Sequence, residues 1–277
     1  MQRADFPFEV IVSEHSSSDR TRGIALAYQE MFPDKIRLVT TDRDAKLVEN
    51  NMRGEQASRG KYQAVCEGDD YWIDPRKLQK QVDFLESHPD VVACFTNAIT
   101  IKEDISGARL YFSAAIKPIL TFEDAYQMSI PTASVVVRSS VLATLPAWRV
   151  KIWNGDHLIL LWCLHQGNLG YLNEVTAVYR KHGKSLDDAM RPLRKERYEN
   201  AVYLYTEFDK ATQYQHSEQM QKLLKRAEEN YRQERLKGLF YLLQPKRWPQ
   251  GWLIGLKRFY FGVIKNRFQL DSIEKDR

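Results

Sequence analysis

The sequence predicts an α/β fold in which a mostly parallel sheet is flanked by helices and followed by a helical extension. Over about the first 96 residues, short β-branched runs alternate with helical patterns. This order is typical of parallel sheets, because crossover helices join their strands. Polar and acidic residues directly follow several of the β-branched runs. Beyond residue 185 the pattern changes to long polar helices with apolar residues at steps of three and four.

Two kinds of pattern predict the elements in chain order. FEVIVS at 8–13 is rich in β-branched residues, as strands are, whereas Ile24, Tyr28 and Met31 recur at helical spacing. By the same reasoning the predicted order is strand 8–13, helix 20–31, strand 36–40, helix 45–58, strand 61–66, helix 76–87 and strand 91–96. After a less regular region the prediction continues with strand 133–138, helix 157–166 and strand 170–179.

These patterns divide the chain into two predicted domains. Residues 1–185 form an α/β domain with one half at about 1–96 and a second half at about 97–185. Residues 186–277 form a helical extension, since Tyr198, Val202 and later apolar residues mark amphipathic helices there.

Composition excludes several classes of protein. The chain has 277 residues, of which 43% are hydrophobic and 28% charged, so it is neither a disordered nor a fibrous sequence. Its longest apolar run, Leu158 to Leu164, is far shorter than the roughly 18 residues of a membrane-spanning helix. The three cysteines are widely spaced and indicate neither a disulfide framework nor a zinc cluster. We therefore expect a reducing, cytoplasmic setting.

The basic charge of the chain is concentrated near its C-terminal end. Net charge is +5, yet residues 235–268 alone carry eight basic residues and no acid, so the rest of the chain is acidic overall. A nucleic-acid partner is therefore not indicated by net charge. Trp248, Trp252 and several phenylalanines lie among these basic residues, and this composition predicts attachment to an anionic membrane surface. The alternative is a pair of helices that pack on the α/β domain.

Three acidic or polar clusters are expected to follow strands of the predicted sheet. They are Glu14–Asp19, Glu67–Asp70 and Asn154–Asp156. In open parallel sheets, ligands bind beyond the carboxyl ends of the strands. Adjacent carboxylates repel each other, and a divalent cation that also binds substrate phosphates relieves this repulsion. An acidic turn that only keeps the surface hydrated is the alternative, and spacing alone does not separate the two.

The wider setting of these clusters carries a family resemblance. The segments concerned are FEVIVSEHSSSDRT at 8–21, RGKY at 59–62, EGDDYW at 67–72, DP at 74–75, KLQ at 77–79, PTAS at 131–134, GD at 155–156 and YRKH at 179–182. Over about residues 8–185 the chain resembles the family-two glycosyltransferases, which have the GT-A fold. The resemblance implies a nucleotide-sugar half at about 1–96 and an acceptor half at about 97–185.

The resemblance also implies a reaction and its site. A sugar passes, with inversion, from a nucleotide diphosphate sugar, here expected to be a UDP-sugar, to a glycan or lipid-linked acceptor, aided by Mg²⁺ or Mn²⁺. Asp156 would be the general base, and Asp70 and His182 the metal ligands. The implied nucleotide-sugar contacts are Glu14, His15, Ser17, Asp19, Asn50, Asp69 and Arg180. A helix N-cap is the alternative role for Asp156, and a surface histidine without function is the alternative for His182. The setting implied is polysaccharide or lipid-linked glycan synthesis on the cytoplasmic face of the membrane.

Two departures from the family pattern produce further expectations. His15 stands where the family has a second acid that reads the nucleobase. The family's opening strand and helix do not precede Phe8, and that strand would lie between the strand at 8–13 and the strand at 61–66. We therefore expect that the reading frame begins too late and that the 277-residue form is inactive alone. A non-catalytic nucleotide-sugar-binding remnant is the main rival, and a nucleotidyltransferase is a third class.

Overall fold

The computed structural model describes residues 2–15, 17–42, 47–102, 107–183 and 186–242. Residues Met1–Ala227 form one compact unit and residues Glu228–Arg277 a second. The helices are α1 (Thr21–Met31), α2 (Leu47–Ala57), α3 (Lys77–Ser87), α4 (Phe122–Ala125), α5 (Ser139–Leu142), α6 (Gly155–Gln166), α7 (Leu186–Met190), α8 (Arg194–Ala211) and α9 (Ser217–Leu242). Two short 3₁₀ helices are η1 (Thr132–Ser134) and η2 (Ala147–Lys151).

The strands match the predicted runs closely, with additions that are too short for a pattern to reveal. They are β1 (Val10–His15), β2 (Ile36–Thr41), β3 (Tyr62–Ala64), β4 (Tyr71–Trp72), β5 (Val91–Lys102), β6 (Arg109–Leu110), β7 (Ile119–Leu120), β8 (Val135–Arg138) and β9 (Asn168–Lys181). The longest pairings, β1 with β2 and β5 with β9, are parallel, as the alternation of strands and helices predicts. β8 is antiparallel to both β3 and β5, and the two-residue strands β4, β6 and β7 also join antiparallel. The larger sheet is therefore mixed and not mostly parallel as predicted, because β5–β9 is its one parallel pairing among the described residues.

The strands form two separate sheets. β1 and β2 form a two-stranded sheet, and a seven-stranded sheet has the order β3-β8-β5-β9-β4, with β6 on β5 and β7 on β9. Among the described residues, β1 pairs only with β2 and β3 only with β8, so the sheets are divided where the sequence analysis places a further strand. Side chains bridge this division. The Glu9 carboxylate accepts the Arg59 backbone amide at 2.7 Å and contacts the Arg37 guanidinium at 3.1 Å.

The main core lies around β5, which is buried on both faces from Val91 to Ala98. Phe95 on this strand packs in one cluster with Leu161 of α6 and with Phe208 of α8. Because α8 places Leu204 and Phe208 one turn apart, both side chains enter this core. The compact unit therefore continues to Ala227, whereas the predicted α/β domain ends at residue 185.

The expectation for the basic C-terminal segment lies largely outside the described residues. α9 ends at Leu242, and the side chains from residue 237 onward are not described. None of the helices within the described ranges combines the length and the apolar character that crossing a membrane requires.

Candidate active site

The loop between β3 and β4, residues 67–70, carries three carboxyl groups and is here called the acidic loop. The Asp70 amide donates to the Glu67 carbonyl at 3.0 Å and closes a tight turn. Directly after this turn, β4 pairs antiparallel with β9, with Tyr71 opposite Val178. The end of β9 therefore lies beside the acidic loop, although more than one hundred residues separate the two in sequence.

This pairing brings together four residues that the resemblance implies for the site. Asp70 Oδ1 accepts the Arg180 backbone amide at 2.9 Å, and the Arg180 Nε donates to the Asp69 carbonyl. Asp69 Oδ2 lies 2.8 Å from His182 Nε2. A carboxylate pair faces a guanidinium and an imidazole here, a combination that suits a diphosphate and a divalent cation.

The helix η1 supports the acidic loop from the other side. The Thr132 side chain lies near the Glu67 carboxyl group and lowers its pKa. The Trp72 indole donates to the Ala133 carbonyl at 2.8 Å. The loop is thus held at both ends by consecutive residues of the PTAS segment.

Burial raises the pKa of two acids in the loop, and the neighbouring carboxyl groups add to this effect. Although Glu67 as a whole residue keeps solvent exposure, desolvation of its carboxyl group raises the pKa of Glu67 to about 7, and the charges of Asp70 and Asp69 add to this. Burial raises the pKa of Asp70 as well. The hydrogen bond from the Arg180 amide lowers this pKa, and the charge of Asp69 raises it. The loop therefore favours either protons or a cation.

We expect the pH dependence of unfolding to report on Glu67. Its folded pKa of about 7 lies above the ordinary value of 4.5. Between those pH values the folded chain binds more protons than the unfolded chain, so the free energy of unfolding falls as pH rises. In Glu67→Gln this fall becomes shallower. Urea unfolding from pH 4.5 to 8 without divalent metal measures it, with Glu30→Gln on α1 as an exposed control. Equal slopes for wild type and Glu67→Gln would contradict the expectation.

The donor set of the acidic loop fits a divalent cation that also binds substrate oxygens. Within the described ranges, no group of three or more His, Cys, Asp or Glu side chains is arranged to hold a metal by itself. Asp70 and His182 are instead two candidate ligands. Asp70 accepts the amide of Arg180, two residues before His182, and His182 contacts Asp69, the neighbour of Asp70. Mg²⁺ and Mn²⁺ commonly take one or two protein carboxylates and complete their shell with phosphate oxygens and water. The residues present fit such a cation.

The residues implied for the nucleobase lie at the end of β1. Glu14 there makes hydrogen bonds within the protein. Its carboxylate is 3% exposed, accepts the Ser17 amide at 2.6 Å and pairs with Arg22 at 2.7 Å. Burial alone would raise the pKa of Glu14, but the Ser17 amide and the Arg22 guanidinium lower it overall. Glu14 thus shapes the loop after β1, and its contact with a nucleotide stays a prediction. His15 ends the strand, half-buried.

Two further nucleotide-contact residues also serve local structure. Asp19 accepts the Thr21 amide at 2.9 Å at the start of α1. Asn50 of α2 is 6% exposed, donates to the Ser13 carbonyl at 3.0 Å and accepts from Arg53 at 2.8 Å. Asn50 therefore ties α2 to β1 beneath the loop. Direct contact of these residues with a nucleotide stays a prediction.

Asp156 lies in the first turn of α6, exposed to solvent, and its cluster follows the short helix η2 and not a strand as predicted. The helix N-cap is Asn154, so the alternative of Asp156 as the N-cap is wrong. A Cβ atom added to Gly155 would lie 3.9 Å from Val48 Cγ2, so the start of α6 is next to α2. Asp156 and the loop after β1 therefore flank the same helix.

Two residues with clear roles at the site did not emerge from the sequence. Arg22 bridges Glu14, Asp42 and the Thr41 carbonyl, and so connects the ends of β1 and β2. Its position as the second residue of a helix, directly after a Ser-rich loop with an acid, is the only sequence signal. Lys77 belongs to the KLQ segment of the family resemblance, and nothing else in the sequence singles it out, yet it is fully buried. The sequence of a helix does not distinguish a buried lysine from an exposed one.

Comparison with known proteins decides the family. A sequence model described as glycosyl transferase family 2 matches residues 2–142, about half of the chain. The chain belongs to glycosyl transferase family 2. The resemblance drawn from the sequence is thereby confirmed. Asp156, Arg180 and His182 lie beyond the matched residues.

Relatives of this family-2 chain include an uncharacterized protein of Mycobacterium tuberculosis H37Rv. It is 30% identical over 194 residues, which cover 67% of this chain and 53% of that protein. The dolichyl-phosphate beta-glucosyltransferase of Mus musculus is 34% identical over 112 residues, 39% of this chain and 34% of that enzyme. The chain thus spans about half the length of the first relative.

Solved structures confirm the GT-A fold of the family-2 chain. TarS from S. aureus superposes with a TM-score of 0.53 at 15% identity, covering 72% of this chain and 57% of that one. The mannosyltransferase PcManGT from Pyrobaculum calidifontis, in complex with GDP-Man and Mn²⁺, superposes with a TM-score of 0.50 at 14% identity. The match covers 88% of this chain and 74% of that one. At such identities the likeness shows the fold alone.

Proposed function

We propose that the chain transfers a glycosyl group from a nucleotide diphosphate sugar to a hydroxyl acceptor, with inversion at the anomeric carbon. The observation that carries the proposal is the meeting of Asp69 and Asp70 with Arg180 and His182 at the end of β9. Carboxylates, a guanidinium and an imidazole at one place suit a diphosphate leaving group and its cation. Membership of glycosyl transferase family 2 supports the same reaction class.

In the proposed reaction Asp156 acts as the general base. Its exposed carboxylate takes the proton of the acceptor hydroxyl, and the acceptor oxygen then forms a bond with the anomeric carbon. The bond between that carbon and the diphosphate oxygen breaks, and its electron pair leaves with the nucleoside diphosphate. One displacement inverts the configuration, so a single carboxylate suffices.

The acidic loop and the end of β9 hold the leaving group. Arg180 supplies positive charge beside the diphosphate, and Asp69 orients His182 through their 2.8 Å contact. Asp70 and His182 would hold a divalent cation. When bound, such a cation supplies Lewis-acid stabilisation of the charge that develops on the diphosphate. Mn²⁺ in the structure named for PcManGT supports this assignment.

Turnover of nucleotide diphosphate sugars tests the proposal. The full chain is incubated with Mn²⁺ and a panel of UDP- and GDP-sugars, and release of the nucleoside diphosphate is followed. We expect slow hydrolysis of one donor class, which accelerates when a suitable acceptor is added. The mouse relative is named for a lipid phosphate, which supports a lipid-linked acceptor as the first to try. Absence of turnover for every donor would contradict a catalytic role.

The divided sheet favours one second candidate, a nucleotide-sugar-binding protein without catalysis. β1 carries the predicted nucleobase contacts on a two-stranded sheet that is separate from the sheet of the acidic loop. Such a protein would bind UDP with Mn²⁺ but would release no product. The same panel therefore distinguishes the two functions, since only the enzyme converts donor.

The basic and aromatic segment at 235–268 supports peripheral attachment to an anionic membrane. Each cationic residue near such a surface contributes on the order of 1 kcal/mol, and Trp and Phe insert at the interface. We expect the full chain to float with vesicles that contain anionic lipid at low salt, and less so at high salt.

Replacing Lys257, Arg258, Lys265 and Arg267 with Gln should reduce flotation, because four of the eight basic residues are then lost. Vesicles of neutral lipid are the control. Equal flotation of the wild type and the variant would contradict attachment through this segment.

A further inference from the structure

Lys77, the first residue of α3, is a buried cation with no carboxylate partner among the residues that the structure describes. The residue is 0% exposed. Its Nζ donates to Gln81 Oε1 at 2.7 Å and lies 4.6 Å from the centre of the Trp72 ring. Burial lowers the pKa of Lys77 to about 7. Cys94, Cys66 and Asp74 raise this pKa, but by less than burial lowers it. A buried charge without an ion pair costs stability, so its presence needs a reason other than stability.

The surroundings of Lys77 connect it to the acidic loop. The Trp72 ring, two residues after Asp70, has Lys77 Nζ at its face while its indole N–H donates to the Ala133 carbonyl at 2.8 Å. Gln81, which accepts from Lys77, donates to the Ser134 carbonyl at 2.9 Å. Lys77 thus contacts Trp72 of β4 directly and reaches Ser134 of η1 through Gln81.

We propose that Lys77 is a positioning residue whose buried side chain holds the Trp72 ring, and through it the acidic loop, in the arrangement that presents Asp69 and Asp70 to Arg180 and His182. It touches neither the nucleotide nor the reacting atoms, because its side chain is fully buried. A cation over an indole ring is strongest where water is excluded, as it is here. The expected effect on nucleotide binding rests on the proposed function. The contact between Lys77 and Trp72 rests on the geometry alone.

Three variants of the full chain test this role, with Mn²⁺ and UDP as the probe in isothermal titration. Lys77→Met keeps the length of the side chain and removes the charge, and Trp72→Leu removes the ring. Each should weaken UDP binding in the presence of Mn²⁺ by about 10- to 100-fold, the usual loss when residues behind a metal site are changed. The double variant should lose no more than the larger single loss, because both changes break the same contact.

Leu85→Ala is the matched control for general damage to α3. Leu85 lies two turns further along the helix and is also 0% exposed, so its truncation lowers the unfolding temperature but should leave UDP affinity within about threefold. Lys80→Met, which removes a partly exposed lysine paired with Asp74, should also bind normally. Equal loss of affinity in Leu85→Ala would overturn the proposal, since stability alone would then explain the effect.

Near-ultraviolet circular dichroism supplies a readout without ligand. Lys77→Met should change the tryptophan signal of the wild type, and the same substitution should change nothing in the Trp72→Leu background. Wild-type affinity in either single variant, additive losses in the double variant, or an unchanged signal in Lys77→Met would each overturn the positioning role. If the wild type itself fails to bind UDP with Mn²⁺, the proposed function is wrong, and the dichroism still decides the contact between Lys77 and Trp72.

Discussion

Asp70→Asn is expected to reduce Mn²⁺-dependent turnover by roughly 100- to 1,000-fold while the unfolding temperature hardly changes. A bound cation stabilises the transition state by several kcal/mol, and each 1.4 kcal/mol is a factor of ten in rate. The fold should tolerate the change, because the amide oxygen of Asn can still accept the Arg180 backbone amide that Asp70 accepts at 2.9 Å. The uncharged Asn side chain also avoids the burial of charge and the repulsion by Asp69 that together raise the pKa of Asp70.

Initial rates at saturating donor over a range of Mn²⁺ concentrations, with thermal unfolding in parallel, measure both effects. Asp34→Asn is a suitable control, since Asp34 is an exposed residue in the turn before β2. Full activity of Asp70→Asn would remove this residue from the metal site. A large fall in unfolding temperature would assign it a structural role instead.

Asp156→Asn should lower turnover by roughly two to four orders of magnitude, the usual contribution of a general base. Donor affinity should be unchanged, because Asp156 belongs to the acceptor side of the proposed reaction. The cost in stability should not exceed about 1 kcal/mol, which is the contribution of an acid in the first turn of a helix. Asn154, not Asp156, is the N-cap of α6.

Glu196→Gln is a matched control for this variant. Glu196 also lies exposed in the first turn of a helix, α8, and has no proposed role in the reaction. Both variants should lose similar stability, but only Asp156→Asn should lose turnover. Equal turnover of Asp156→Asn and wild type at saturating acceptor would show that another group removes the proton.

Much of the fold could be predicted because its long elements have simple patterns. The helix predicted over 76–87 is found almost residue for residue, and the strand predicted over 91–96 begins at Val91 but continues to Lys102. Helical spacing and buried β-branched runs are strong signals for the presence of an element. The two-residue strand β4 could not be predicted, because two residues have no periodicity. Its pairing with β9 nevertheless brings the acidic loop to Arg180 and His182.

The candidate site was predicted as residue types, but not as contacts. Adjacent acids after a strand suit either a cation site or a hydrated acidic turn, and the family resemblance favours the cation site. The structure adds the contact between Asp69 and His182. The burial of Glu14 against Arg22 depends on the packing of α1 on two strands, which no local pattern encodes. Lys77 shows the same limit, since its burial follows from the tertiary packing of α3.

Electron paramagnetic resonance of Mn²⁺ with the full chain, with and without UDP, tests the central claim most directly, namely that the acidic loop and the end of β9 form one metal and diphosphate site. Because the protein supplies only a few of the ligands, we predict that Mn²⁺ becomes bound mainly when UDP is present, at one ion per chain. In Asp70→Asn the bound signal should be lost at the same concentrations. Binding of Mn²⁺ that is equal with and without UDP, or equal in Asp70→Asn and wild type, would contradict the claim.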